Sequence, residues 1–99
     1  MKVIFTLPAR KSLDNIYDWH KMRGAGRSGR KIRAAVVKKA MTLKTHPFIG
    51  QEEEQLKHLN LGHRYIVEGN YKIIYRIGAQ VVAVTDVFDS RQDPGKMKP

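Results

Sequence analysis

The sequence predicts an α+β domain in which two N-terminal helices pack on a small antiparallel sheet, in the order β-α-α-β-β-β. Its 99 residues suit one domain with a single hydrophobic core. Apolar residues recur at helical spacing in the first half of the chain and alternate with a period of two in the second half. Short turns separate the alternating segments, and such turns join antiparallel strands. We therefore expect one domain over residues 1–99, in which residues 89–99 form a tail.

The N-terminal segment predicts one strand and one helix. Val3, Ile4 and Phe5 form a short apolar run that stops before Pro8, as expected for a strand over residues 2–7. A helix over about residues 8–22 follows, because apolar residues then recur at the spacing of one helical face. That face comprises Leu13, Ile16, Tyr17 and His20.

A glycine-rich segment separates this helix from a second one. Residues 23–29 contain three glycines and no apolar period, which predicts a mobile connection. The glycines follow a helix and lack the spacing of a phosphate-binding loop. The second helix is expected over about residues 29–45, ending before Pro47 because the residue that precedes a proline resists the helical conformation. Its apolar stripe comprises Ile32, Ala35, Val36, Ala40 and Leu43.

The second half of the chain predicts three strands. Tyr65 and Val67 lead into a turn at residues 68–70, and residues 71–77 then alternate, which indicates a hairpin. A second turn at residues 78–80 precedes the nearly continuous apolar run of residues 81–88. Such a run is typical of a central strand that is covered on both faces, or nearly so.

The composition limits the location and the chemistry of the protein. Cysteine is absent, which excludes disulfides and thiolate sites and fits a reducing compartment. The apolar run at the N-terminus is too short for a signal peptide or a membrane span, so we expect a cytoplasmic protein without a membrane partner. The histidines show no metal-ligand spacing, so we expect no metal and no cofactor. They are His20, His46, His58 and His63.

The charge is strongly unbalanced. Nineteen Lys and Arg face nine Asp and Glu, which gives a net charge of +10. A charge of this size favours a polyanion or an acidic protein as partner, although a basic solubility surface is the alternative. Nine basic residues and no acidic one lie between Lys21 and Lys44. A solvated helix face normally mixes both signs, so we expect this face to bind an anionic partner.

The residues predicted to bind nucleic acid or an acidic partner are Arg27, Arg30, Lys31, Arg33, Lys38, His63 and Arg64. A second group of cations belongs to the predicted sheet. Lys72 and Arg76 share one face of a strand by the period of two, and Arg91 follows the last strand. Such cations could stabilise the charge that builds on phosphorus when a ribose 2′-hydroxyl attacks it. Ordinary surface cations are the competing interpretation.

Two motifs carry a family resemblance. Residues 71–77 read Y-K-I-I-Y-R-I and residues 87–94 read V-F-D-S-R-Q-D-P. With these motifs the chain resembles the RelE/ParE toxin superfamily over nearly its whole length. The resemblance implies a growth-inhibiting toxin that an antitoxin neutralises by wrapping it in a hetero-oligomer. It also implies that the toxin reaches operator DNA only through the antitoxin.

The two branches of the superfamily imply different activities. RelE-like members cleave mRNA inside the ribosome, whereas ParE-like members inhibit DNA gyrase without being enzymes. For RelE-like cleavage, Lys72 and Arg91 match two cation positions of the branch, and Arg76 is a further candidate. RelE-like members usually add a tyrosine after the second cation, and residues 92–99 contain neither tyrosine nor histidine. Gyrase inhibition is therefore favoured; mRNA cleavage is the alternative, and a non-toxic RNA-binding module is a third reading.

Overall fold

The fold is described from a computed structural model that covers residues 1–99. Two helices, α1 (Leu7–Met22) and α2 (Gly26–Met41), lie between the first strand and the remaining four. The strands are β1 (Lys2–Phe5), β2 (Gln51–Glu52), β3 (Arg64–Glu68), β4 (Tyr71–Ile77) and β5 (Val81–Asp89). Short 3-10 helices span Thr42–Lys44, Glu54–Leu59 and Pro94–Lys96. No helix is both long enough and apolar enough to cross a membrane.

The strands form one mixed sheet in the order β1-β5-β4-β3-β2. The predicted α+β class is confirmed, but the sheet is not wholly antiparallel, because β1 pairs with β5 in parallel. Short turns impose antiparallel pairing only on consecutive strands, and both helices separate β1 from the rest. The additional strand β2 is a two-residue edge strand that pairs with β3. Its two polar residues carry no alternating pattern, so the sequence did not reveal it.

Helix α1 matches its prediction to within one residue at its start. Thr6 lies just before the helix, and its side-chain oxygen accepts a hydrogen bond from the amide of Ala9 at 3.3 Å. Pro8 occupies the first turn, where its missing N–H has no helical partner to lose. Leu13 and Ile16 are buried, so the predicted apolar face does pack on the core.

The mobile connection predicted over residues 23–29 is wrong. Helix α2 begins at Gly26, which leaves only residues 23–25 between the helices, with Gly24 at a φ of 73°. Gly29 lies inside α2 for a packing reason. A Cβ at this position would lie 2.9 Å from the Cβ of His20 and 3.2 Å from the carbonyl oxygen of Tyr17. This glycine therefore permits α1 and α2 to pack closely, and it does not loosen the chain.

Both faces of the central strands are covered. On the helix side, thirteen buried residues form the main core. Its sheet members are Ile66, Tyr71, Ile73, Tyr75, Val82, Val84 and Val87. On the opposite side, a smaller cluster comprises Leu56, Ile74, Phe88 and Met97, with Tyr65 packed against it. The prediction that residues 81–88 form a central strand covered on both faces is thereby confirmed.

The predicted tail folds back onto the smaller cluster. Met97 is buried there, and two hydrogen bonds hold the residue that follows it. The amide of Lys98 donates to Oδ2 of Asp86 at 3.0 Å, and Oγ1 of Thr85 donates to the carbonyl oxygen of Lys98 at 3.1 Å. Residues after Asp89 therefore help to close the sheet face that the helices leave open.

A buried tyrosine fixes the loop that precedes β2. The hydroxyl of Tyr75 donates to the carbonyl oxygen of Pro47 at 2.7 Å and accepts from the amide of Gly50 at 3.0 Å. Gly50 is required for this approach, because a Cβ there would clash with the Tyr75 hydroxyl and lie 2.6 Å from the carbonyl oxygen of Tyr65. One side chain of β4 thus holds both ends of the loop.

We expect Tyr75→Phe to destabilise the fold by about 1–3 kcal/mol, because it leaves an amide and a carbonyl of the loop without their partner. Urea unfolding would measure the change. Tyr65→Phe is the matched control, since its hydroxyl bonds to Gln51 at an exposed position, and we expect it to be nearly neutral. Equal losses from the two variants would contradict the role assigned to Tyr75.

Candidate functional site

The predicted basic surface is present on α2. All five of its predicted residues are exposed, and we call this set the basic α2 surface: Arg27, Arg30, Lys31, Arg33 and Lys38. Arg33 pairs with Asp14 at 2.8 Å, and Arg30 donates to the hydroxyl of Tyr17 at 3.3 Å. The other three cations make no ion pair. Most of the positive charge of this surface is therefore available to a partner.

His63 and Arg64 lie elsewhere and have structural surroundings. Nε of Arg64 donates to the carbonyl oxygen of Gly50 at 3.1 Å, and Nη2 donates to that of Phe48 at 3.2 Å. His63 is only 2% exposed, and neither of its ring nitrogens makes a hydrogen bond. The structure therefore does not bring these two residues to the basic α2 surface, and their predicted role in binding stays a prediction.

Lys72 is held in an ion pair with a buried carboxylate. Its Nζ lies 3.0 Å from Oε2 of Glu53, a residue that is 1% exposed. Glu53 begins a 3-10 helix, where its other oxygen accepts from the amide of Gln55 at 3.2 Å. The ammonium of Lys72 also lies 4.2 Å from the ring centroid of Tyr65. An ion pair in this setting holds the 3-10 helix against the sheet and occupies the lysine.

Arg91 is occupied as well, on the other side of the sheet. Its Nε and Nη2 donate to the two carboxylate oxygens of Asp89 at 2.9 and 2.8 Å. These hydrogen bonds from Arg91 are the main reason that the pKa of Asp89 lies below its usual range. Arg91 lines the side of β5 that faces α1, whereas Lys72 projects to the opposite face. The three predicted catalytic cations are therefore not brought together; only Lys72 and Arg76 share a face.

Two candidate proton-transfer groups, Tyr71 and His63, are poorly suited to accept a proton. Tyr71 lines the same groove as Arg91, and burial, reinforced by the charge of Asp89, raises its pKa, so it keeps its proton. His63 is enclosed, and its pKa is lowered chiefly by burial. Neither group is therefore an evident base for attack by a ribose hydroxyl, a role that contributes about 10²–10⁴ in rate.

A groove that the sequence did not reveal runs between α1 and the tail. Its volume is about 690 Å³, and its walls include Ser12, Asn15 and Trp19 of α1 together with Arg91 and Gln92. Trp19 is 52% exposed, and the guanidinium of Arg23 lies 3.8 Å from its ring centroid. The sequence feature that could have indicated the groove is the helical spacing of these three α1 residues, which places them together on one side of the helix, off its apolar face. The groove offers an aromatic contact surface between walls that carry three cations, Arg91, Lys96 and Lys98, and two carboxylates, Asp86 and Asp89.

Comparisons with known proteins place this geometry in context. The family model described as ParE toxin of type II toxin-antitoxin system, parDE, matches residues 3–94. The chain is similar in fold to a solved structure titled chromosomal ParDE TA system from P. aeruginosa, with a TM-score of 0.73. The two share 18% sequence identity over 88% of this chain and 92% of that chain. No curated protein matches the chain by sequence.

We expect Lys72→Met to destabilise the fold by about 3 kcal/mol, because it leaves the carboxylate of Glu53 buried without a counter-charge. Urea unfolding would measure the loss, and adding Glu53→Gln should recover more than half of it. Lys57→Met is the matched control: its partner Glu52 lies 3.9 Å away at an exposed position. The control should change stability by less than about 0.5 kcal/mol. A small effect of Lys72→Met would contradict the structural role of the pair.

The lowered pKa of the buried His63 predicts that the protein loses stability in acid. Burial is the main cause that lowers the pKa of His63 in the folded state; the Pro99 main chain opposes this effect, and the charges of Arg76 and Glu53 make smaller contributions of opposite sign. The unfolded chain therefore binds this proton more readily, so the free energy of unfolding should fall as the pH drops below about 6.5. Urea unfolding at about pH 7.5 and about pH 5.5 would reveal a smaller fall for His63→Leu than for the wild-type chain. His58→Leu changes an exposed histidine and should leave the fall intact; identical behaviour of all three proteins would refute the assignment.

Proposed function

Because the chain belongs to the family of ParE toxins of type II toxin–antitoxin systems, we propose that it inhibits DNA gyrase by binding to it. A cognate antitoxin neutralises it by covering the basic α2 surface, through which the chain would bind gyrase. The activity places the protein in the cytoplasm, where gyrase acts. Growth inhibition follows from the block and requires no reaction catalysed by this chain.

The observation that carries this proposal is the contrast between the two groups of cations. Lys72 is held by the buried carboxylate of Glu53, whereas Arg91 pairs with Asp89 at an exposed position on the other side of the sheet, so these two cations are not brought together. Arg27, Lys31 and Lys38 on the basic α2 surface have no counter-charge within the chain. Free surface cations accelerate association with an acidic partner and select against basic ones. The arrangement thus supports an inhibitor that acts through its surface.

The antitoxin supplies the acidic counterpart. A net charge of +10 on 99 residues repels a second copy of the chain and attracts an acidic segment. The groove beside Trp19 suits an extended or helical segment, because its walls combine aromatic surface with the cations Arg91, Lys96 and Lys98. In this proposal the complex is a hetero-oligomer, and it reaches operator DNA through the antitoxin.

We expect the purified chain to block supercoiling by purified gyrase in the absence of ribosomes. The double variant Lys31→Glu/Lys38→Glu should lose about tenfold in potency, because it removes most of the net positive charge of the basic α2 surface. The double variant Lys2→Glu/Lys11→Glu is the matched control: it makes the same change in net charge at exposed positions outside that surface. A gel assay of plasmid topology would measure both, and the candidate antitoxin, an acidic reading frame beside the gene, should restore supercoiling.

Arg91→Ala separates this function from mRNA cleavage. A gyrase inhibitor of the proposed kind should still arrest growth on induced expression of this variant, since Arg91 lies outside the basic α2 surface. Loss of arrest by Arg91→Ala, together with ribosome-dependent cleavage of mRNA by the wild-type chain, would support the ribonuclease instead. Unimpeded supercoiling at a large excess of wild-type protein would reject gyrase as the target.

A further inference from the structure

The loop of residues 46–50 exposes two large apolar side chains. Phe48 is 69% exposed and Ile49 is 64% exposed, although Leu43 before the loop and Gly50 at its end are buried. Scattered apolar residues on a surface are common, but two adjacent ones at the tip of a loop form a contiguous apolar projection. We call this segment the anchor loop.

The anchor loop is held rigidly from beneath. Besides the two hydrogen bonds of the Tyr75 hydroxyl, it receives two from Arg64, to the carbonyl oxygens of Phe48 and Gly50. The same guanidinium lies 5.7 Å from the ring centroid of Phe48. Gly50 leaves no space for movement toward the sheet, since even a Cβ would collide there. Four hydrogen bonds therefore fix the backbone of a loop whose apolar side chains point outward.

Folding alone does not account for this arrangement. Phe48 and Ile49 belong to neither hydrophobic cluster, so they contribute little burial to the fold. A binding role does account for it. A preorganised loop loses little conformational entropy when it binds, and a buried aromatic anchor is a frequent centre of binding energy in protein interfaces.

We propose that Phe48 and Ile49 insert into an apolar pocket, rimmed by acidic side chains, on the folded protein that this chain inhibits. This inference rests on the proposed function and names the contact through which it acts. A convex anchor fits a preformed pocket of a folded protein, whereas a wrapping antitoxin segment fits a groove such as the one beside Trp19. The acidic rim follows from Lys44, which is exposed just before the loop, and from Arg64 of β3, whose guanidinium lies beside Phe48.

Nucleic acid is a poorer occupant of this loop. Stacking of bases requires aromatic or guanidinium planes, and the side chain of Ile49 has no π-face. Phe48 already has a guanidinium beside its ring. The apolar tip would therefore gain free energy by moving out of water into an apolar protein pocket. Contact with phosphates does not offer this gain.

The test compares the wild-type chain with Phe48→Ser/Ile49→Ser. We expect the variant to lose about tenfold or more in inhibition of purified gyrase and to fail to arrest growth on induced expression, as for the removal of an interface anchor. Its melting temperature should stay near that of the wild-type chain, because both residues are exposed. Leu7→Ser/Met22→Ser is the matched control: it also removes two exposed apolar side chains, and it should keep full activity.

Each other outcome has a definite meaning. Equal inhibition and equal arrest by the wild-type chain and the anchor variant overturn the anchor, while the proposed function stands. Arrest that requires the anchor without any inhibition of gyrase supports the anchor and rejects gyrase as the target. Full activity of the variant combined with weaker binding of the antitoxin, or of a DNA or RNA duplex, overturns the proposal in favour of that occupant. A wild-type chain that neither arrests growth nor inhibits gyrase overturns both proposals.

Discussion

The carboxylate of Glu53 lies inside the protein, and a buried charge must be paired there. Lys72 provides the pairing from the sheet face opposite the helices. That requirement fixes the 3-10 helix of residues 54–59 over β4 and brings Leu56 onto Ile74 and Phe88. The tail adds Met97 to the same cluster, so this face of the sheet is closed by the chain itself. Lys72 and Glu53 on this face therefore serve to hold the fold together.

The surfaces that we propose for binding lie outside this closed face. A catalytic arrangement on the sheet would need Lys72, Arg76 and Arg91 free and close together, whereas Arg91 is bound to Asp89 beside α1. A group of exposed cations without ion pairs lies instead on α2, and the exposed apolar pair lies on the anchor loop. Both belong to the outer surface, which suits a protein that acts by association.

Periodicity predicted the elements whose packing is local, and it failed where a distant contact decides the structure. Helix α1 followed from its apolar spacing. Gly29 indicates a mobile connection when only the sequence is considered, because its packing role depends on the approach of His20 on α1, which the sequence does not show. Lys72 is predicted from the sequence as a free cation for the same reason. Its partner Glu53 lies nineteen positions earlier in the chain and is buried only once the sheet has formed. The basic α2 surface was predictable, because exposure follows from the helical period itself.

The two surfaces would divide the work of association. Charge on α2 acts over about 8–10 Å and raises the rate of encounter, but exposed charges contribute little to the lifetime of a complex. An apolar side chain that leaves water in a fitted pocket acts only on contact and slows dissociation. A chain with the charge alone would bind many acidic surfaces weakly, and one with the anchor alone would reach its target slowly. Because the anchor loop comes soon after α2 in the chain and is fixed by Tyr75 and Arg64, both contributions are delivered by one rigid body.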